Sequence, residues 1–133
     1  TFAEIIGAKL PSNAGEDSQS FAAVLANPKA KAERLPLINH GMSGPYSITE
    51  GNWKLILPGK RTKAELYDLA TDPGEKNNVV AKHPQLAKGL QQKITDIIVN
   101  GRTTEGPAQP NDTGHWRDLT WISAEQYAAR RAN

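Results

Sequence analysis

Residues 51–78, GNWKLILPGKRTKAELYDLATDPGEKNN, decide the fold. Trp53, Leu55 and Leu57 fall at every second position, the period of a strand with one buried face. A basic stretch, PGKRTKA, separates this run from a second one, ELYDL, by a loop of hairpin length. TDPGEKNN then closes the sheet, because Pro73 has no amide hydrogen for a ladder and Gly74 accepts turn geometry.

Two more strand-like runs lie upstream. RLPLINHG (34–41) is apolar at Leu35, Leu37 and Ile38, and GPYSITEG (44–51) alternates at Tyr46 and Ile48. Glu50, Gly51 and Asn52 make a tight turn into the Trp53 run. Four short runs joined by hairpin-length connections predict an antiparallel meander. Downstream of His83–Pro84, Leu86, Leu90, Ile94, Ile97 and Ile98 recur at three- and four-residue spacings, which predicts a helix over 85–99 stopped by Asn100 and Gly101. One apolar stripe is what a small one-faced sheet needs as a cover. The expected fold class is therefore α+β, a small four-stranded antiparallel sheet packed against one C-terminal helix. Tyr46, Ile48, Trp53, Leu55 and Leu57 should share the face covered by Leu90, Ile94 and Ile97.

The flanks read differently. Thr1 and Glu4 have capping-box spacing for a short helix over Phe2–Ile6, and Asp17 or Ser18 is placed to cap another over Phe21, Val24 and Leu25. NPKAKAER breaks that helix as a solvated linker. From Arg102 onward Gly, Pro, Asn and Thr dominate and the apolar residues lack a period, so this tail is expected to be the least ordered part, with Ser123 capping a short terminal helix. The division that follows is 1–26, 27–33 as linker, 34–101 as the α+β unit, and 102–133 as an irregular tail. The opening, TFAEIIGAKLP, has neither an initiating Met nor a basic-then-apolar signal, and reads as the middle of something longer.

Composition narrows the function classes. The 133 residues include 38% hydrophobic and 6% aromatic residues with 9 Pro and 11 Gly, a supply for one modest core with much loop. Sixteen Lys and Arg against fourteen Asp and Glu leave +2 with the signs interspersed, which gives little attraction for nucleic acid or an anionic membrane. The absence of cysteine excludes a disulfide framework, a Cys-ligated zinc and a thiol nucleophile. No stretch approaches the roughly 20 apolar residues of a membrane span.

Motifs for chemistry are few. There is no G-x-S-x-G elbow around Ser18 or Ser43, no GxGxxG and no GxxxxGK[ST]. His83 precedes Pro84 as a helix lead-in, and His115 beside Trp116 reads as packing or solvated, with no metal-ligand spacing at either. Glu16 with Asp17 and Asp68 with Asp72 invite an acid–base pair or calcium, but DPGEKNN offers too few oxygens for calcium and suits Asp72 as a turn cap. Lys60, Arg61 and Lys63 form a basic loop tip, either a solvated face or, with the Trp side chains, an independent binding module for a sulfated glycan or protein partner. His40 ends a strand in NHGMSG, where glycines allow close backbone approach. It is either structural or ligand-facing.

GAKLPSNAGEDSQSF, INHGMSGPYSITEGNWKLIL, ELYDLATDPGEKNNVVAKHPQLAKGL and GRTTEGPAQPND, in that order, resemble the C-terminal end of the arylsulfatase family of sulfate-ester hydrolases. The W-K-L strand and the E-L-Y-D-L-x-x-D-P-x-E-x-x-N run carry most of the specificity. The resemblance spans about residues 1–112, and nothing beyond Thr113 shares in it. It implies a large α/β catalytic domain upstream, of which 1–26 are the last pieces, followed by a small sheet-plus-helix subdomain. It also implies calcium and formylglycine in the full-length parent, a sulfate-ester substrate, and export to the periplasm or beyond. The family's C/S-x-P-x-R motif, where the Cys or Ser becomes formylglycine, is absent here, so no catalytic or metal residue carries over and the fragment alone is expected to be inactive. His40, at the family's strand-end histidine position, is the one substrate-rim candidate.

Overall fold

The structure is a computed structural model describing residues 1–31, 34–41 and 44–132. Four strands, β1 (Leu37–His40), β2 (Tyr46–Glu50), β3 (Trp53–Ile56) and β4 (Glu65–Asp68), pair antiparallel in the order β1-β2-β3-β4. The meander expected from the four alternating runs is the one observed. Its register sets Ile38 opposite Ile48, Ile48 opposite Leu55 and Leu55 opposite Leu66, so a single row of aliphatic side chains crosses all four strands. Such cross-strand neighbours on one face are the unit by which a sheet is stabilised.

The helix that covers this row runs over Pro84–Asn100; with two four- and five-residue helices at the N-terminus, α1 (Phe2–Ile5) and α2 (Ala22–Ala26), it is α3 in chain order. Pro84 sits in its first turn, where an amide hydrogen would have no partner. Its end is set by Gly101, whose φ of 67° lets the amides of Gly101 and Arg102 return to the carbonyls of Ile98 and Ile97. A Cβ there would come within 2.6 Å of the Gln109 carbonyl oxygen, so glycine is required sterically as well. Ile48, Leu55, Leu57, Leu66, Leu90 and Ile94 form the buried core, with Tyr46, Trp53 and Ile97 packed at its border. Apart from Leu66, these are the side chains the two periodicities assign to it.

The tail packs on α3 through a second core. Its backbone is irregular up to Ser123, but Leu119, Ile122 and Tyr127 are buried with Val99 in a second core on the far end of α3. A final helix, α4 (Ala124–Arg131), opens with a capping box in which Ser123 Oγ accepts from the Gln126 amide and Gln126 Oε1 accepts from the Ser123 amide. Arg130 pairs with Asp96, and Arg131 donates to the Val99 carbonyl. Apolar residues supplied by turns share no period and still meet in space.

The N-terminal caps are corrected. Thr1 Oγ1 accepts from the Phe21 amide instead of capping α1. Asp17 and Ser18 do not cap α2, which begins after Phe21; Asp17 accepts from the amide and hydroxyl of Thr103. Residues 1–31 are joined to the rest mainly through such polar contacts: Glu16 O accepts from the Thr103 and Thr104 amides, and the buried Arg102 guanidinium donates to Ser12 O. Their large apolar side chains stay in solvent, with Phe2 85% and Ile6 76% exposed and Ile5, Leu10, Phe21 and Leu25 more than half exposed.

Candidate functional site

β1 is an edge strand, and His40 is its last residue, paired across the ladder with Tyr46. The two rings stack in parallel, 4.1 Å between centroids and 8° between planes. Tyr46 in turn meets the Trp121 ring edge-on at 5.5 Å. The imidazole is therefore held by aromatic contact, with about a third of its side chain exposed.

A carboxylate from the tail reaches this edge. Asp118 Oδ2 lies 4.0 Å from His40 Nε2 and accepts a hydrogen bond from Trp116 Nε1 at 3.2 Å, while Oδ1 lies 3.7 Å from Lys60 Nζ. Thr120 Oγ1 donates to the Pro58 carbonyl, fixing the tail against the β3–β4 loop. Burial, and secondarily the Asp118 charge, push the Tyr46 phenol above its usual range, so it is neutral and can only donate or accept hydrogen bonds. What the edge offers chemically is an aromatic platform, an imidazole and one cation sharing a carboxylate.

The other candidates separate from this edge. Of the basic tip, Lys60 is drawn to Asp118, which partly neutralises the charge a free-standing sulfate-binding module would need. Trp53 lies against His83 and Trp121 donates from Nε1 to Thr95 Oγ1, so both serve the core rather than a basic groove. His83 is the residue before the first turn of α3, as its position before Pro84 suggested. His115 packs, its Nε2 2.9 Å from the Ile122 carbonyl oxygen and its ring edge-on to Tyr127. Asp72 caps its turn by accepting from the Lys76 and Asn77 amides, which holds its carboxyl below the usual carboxylate range. Asp68 accepts from the Ala70 amide and the Thr71 hydroxyl. Ser43 lies outside the described residues.

Sequence reasoning missed Asp118 and Trp116. The signal present was HWRDLTWIS, a polar-aromatic cluster in a stretch without period, which gives no way to know that it folds back 78 residues in sequence, the separation of Asp118 from His40. For calcium, no group of three or more His, Asp and Glu side chains that could hold a metal occurs among the described residues. The donor set does not fit that ion, nor does the chain contain the C/S-x-P-x-R site of formylglycine.

The comparisons with known proteins relate this sheet-and-helix unit to sulfatases. No family profile matches the chain. An N-acetylgalactosamine-6-O-sulfatase of Bacteroides thetaiotaomicron is 28% identical over 111 residues, covering 73% of this chain and 22% of that protein. Arylsulfatase K of Bos taurus is 36% identical over 55 residues, 40% of this chain and 10% of that one. Among solved structures, a protein of the Bacteroides thetaiotaomicron locus for metabolism of multiple glycosaminoglycans superposes with a TM-score of 0.63 at 29% identity, covering 72% of this chain and 23% of that one. The chain is homologous to sulfatases in sequence and in fold, and it spans about a fifth of the length of the first of these relatives.

Proposed function

We propose that this chain is the C-terminal subdomain of a sulfatase whose full-length parent hydrolyses sulfate esters, and that this piece shapes and covers the cleft without supplying the attacking group. The observation that carries the reading is the match of the sheet-and-helix unit to sulfatases over most of this chain and less than a quarter of theirs. On this reading calcium and the aldehyde hydrate are both held by preceding segments. The solvent-facing Phe2, Ile5, Ile6, Leu10, Phe21 and Leu25 support it too, because so many large apolar side chains exposed in one short segment are what a covering domain would bury. Residues 1–26 then close the catalytic domain, and His40 stands at the rim as a hydrogen-bonding group for the substrate. The parent is exported; no helix among the described residues is long and apolar enough to cross a membrane.

The test is an assay of the full-length parent and of this chain alone on an aryl sulfate and on 6-O-sulfated N-acetylgalactosamine, with and without calcium. The parent turns over one or both, and the chain alone turns over neither. Turnover by the chain above a heat-killed control overturns its inactivity. A folded parent silent on every sulfate ester overturns the enzyme class.

A further inference from the structure

The tail and the His40 edge line a cleft of about 380 Å³ that has His40, Tyr46 and Trp116 as its aromatic residues and Asn111, Asp112 and Thr113 as its polar ones. That volume is near the small end of the roughly 300–1,000 Å³ typical of small-molecule sites, room for one sugar-sized ring. The aromatic part is preorganised: His40 is stacked on Tyr46, Tyr46 is braced by Trp121, and the Trp116 indole is tied through Nε1 to Asp118. A ligand therefore orders few side chains on entering. The polar part is uncommitted. Asp112 and Thr113 have no hydrogen-bond partner among the described residues, and Asn111 spends its amide nitrogen on Ile98 O and Tyr127 Oη, leaving its oxygen to accept.

Aromatic faces beside carboxylate, amide and hydroxyl acceptors suit the C–H edges and hydroxyl groups of an uncharged sugar ring. Asp112 at the same place repels a sulfate or a uronate. On the other side of Asp118 lies a second cleft of about 390 Å³ lined by Lys60, Arg61, Thr62 and Thr120, where Arg61 adds a cation beside the Lys60–Asp118 pair. Asp118 borders that basic cleft and stands 4.0 Å from His40, so the two clefts adjoin. Trp116 and Asp118 lie beyond the stretch whose motifs carry the sulfatase resemblance.

We propose that the aromatic cleft is a subsite for an uncharged hexose or N-acetylhexosamine ring adjoining the sulfated residue of an oligosaccharide, and that Asp112 discriminates there against uronate. This rests on the sulfatase reading for the sulfated residue only. The test is calorimetric binding to the full-length protein of three probes: 6-O-sulfated N-acetylgalactosamine, its disaccharide with galactose and its disaccharide with glucuronate. The galactose disaccharide is expected to bind at least ~10-fold more tightly than the monosaccharide, about 1.4 kcal/mol. The glucuronate disaccharide gains nothing. Trp116→Ala abolishes the gain and Trp116→Phe keeps most of it, with unfolding excluded by an unchanged melting temperature; Asp112→Asn lets the glucuronate disaccharide gain as well. Equal gains for both disaccharides, no gain for either, or a gain indifferent to Trp116→Ala and Asp112→Asn, each overturns the subsite. Selective disaccharide binding by a full-length protein without sulfatase activity would overturn the enzyme reading and leave the subsite standing.

Discussion

Trp121 Nε1 donates to Thr95 Oγ1 at 2.9 Å, and the same hydroxyl donates to the Gln91 carbonyl at 2.6 Å. A buried threonine in the middle of α3 thus satisfies its own polar atom within the helix and receives the tail at once. Trp121 borders both cores, so the bond sits at the seam between the sheet core and the tail core. Trp121→Phe keeps most of the packing and removes the donor. It is expected to lower unfolding free energy by about 1 kcal/mol, the net value of a typical internal hydrogen bond. Denaturant titration checks the loss, and amide exchange in α4 should quicken in the same variant.

The sheet core makes a larger prediction. Ile94 is fully buried between the aliphatic row and the rest of α3. Ile94→Ala leaves a cavity that rigid neighbours cannot fill, and should cost about 2–5 kcal/mol. A domain this small has little more than that to lose. An unchanged denaturation midpoint would show that the helix does not cover the sheet as described.

Tyr67 supplies a prediction in pH. Its hydroxyl donates to Glu65 Oε2 at 2.8 Å, and this bond to a carboxylate, with burial and the charges of Glu65, Glu75 and Asp72 added, pushes the phenol from 10.0 up to about 12. A group whose folded value is raised contributes stability that is complete below its unfolded value and is lost as pH rises toward the folded one. The window is therefore pH 10 to about 12. In Tyr67→Phe the stability between those limits should fall less steeply than in the parent sequence, measured by denaturation at stepped alkaline pH. An identical slope would mean that Glu65 does not hold the phenol.

Legibility followed periodicity. The meander and α3 could be read because Tyr46 and Ile48, and Trp53, Leu55 and Leu57, recur at period two and Leu90 and Ile94 at a helical spacing, and burial acts on those periods directly. Gly101 was legible for a steric reason that any helix end shares. The tail was not, since Leu119, Ile122 and Tyr127 come from a turn and a helix of different pitch, and only tertiary contact unites them. The same holds for the site: His40 stood out from its glycine-flanked strand end, whereas Lys60, in the β3–β4 loop, and Trp116 with Asp118, in the tail, belong to two other stretches of chain. The N-terminal caps misled because Thr1 and Asp17 have stronger partners at a distance, Phe21 and Thr103, than in their own first turns.

His40 is where the rim reading is most exposed to test. Its ring is fixed by Tyr46, its Nε2 faces Asp118 at 4.0 Å, and among the described residues no strand pairs with the open side of the edge strand that carries it. If the parent's cleft opens toward this edge, the imidazole donates to a substrate oxygen, a contact worth about 0.5–3 kcal/mol depending on its charge. His40→Ala in the full-length enzyme should then lower kcat/KM about 2- to 150-fold, the same energy expressed as a rate ratio. Loss of the stacked pair with Tyr46 adds about 0.5–1.5 kcal/mol of destabilisation at most, so the melting temperature shifts little. His40→Phe separates the two effects, because it keeps the stack and removes the hydrogen bond: it should restore stability and leave kcat/KM low. Full activity in His40→Phe would assign the residue to packing alone and remove it from the substrate rim.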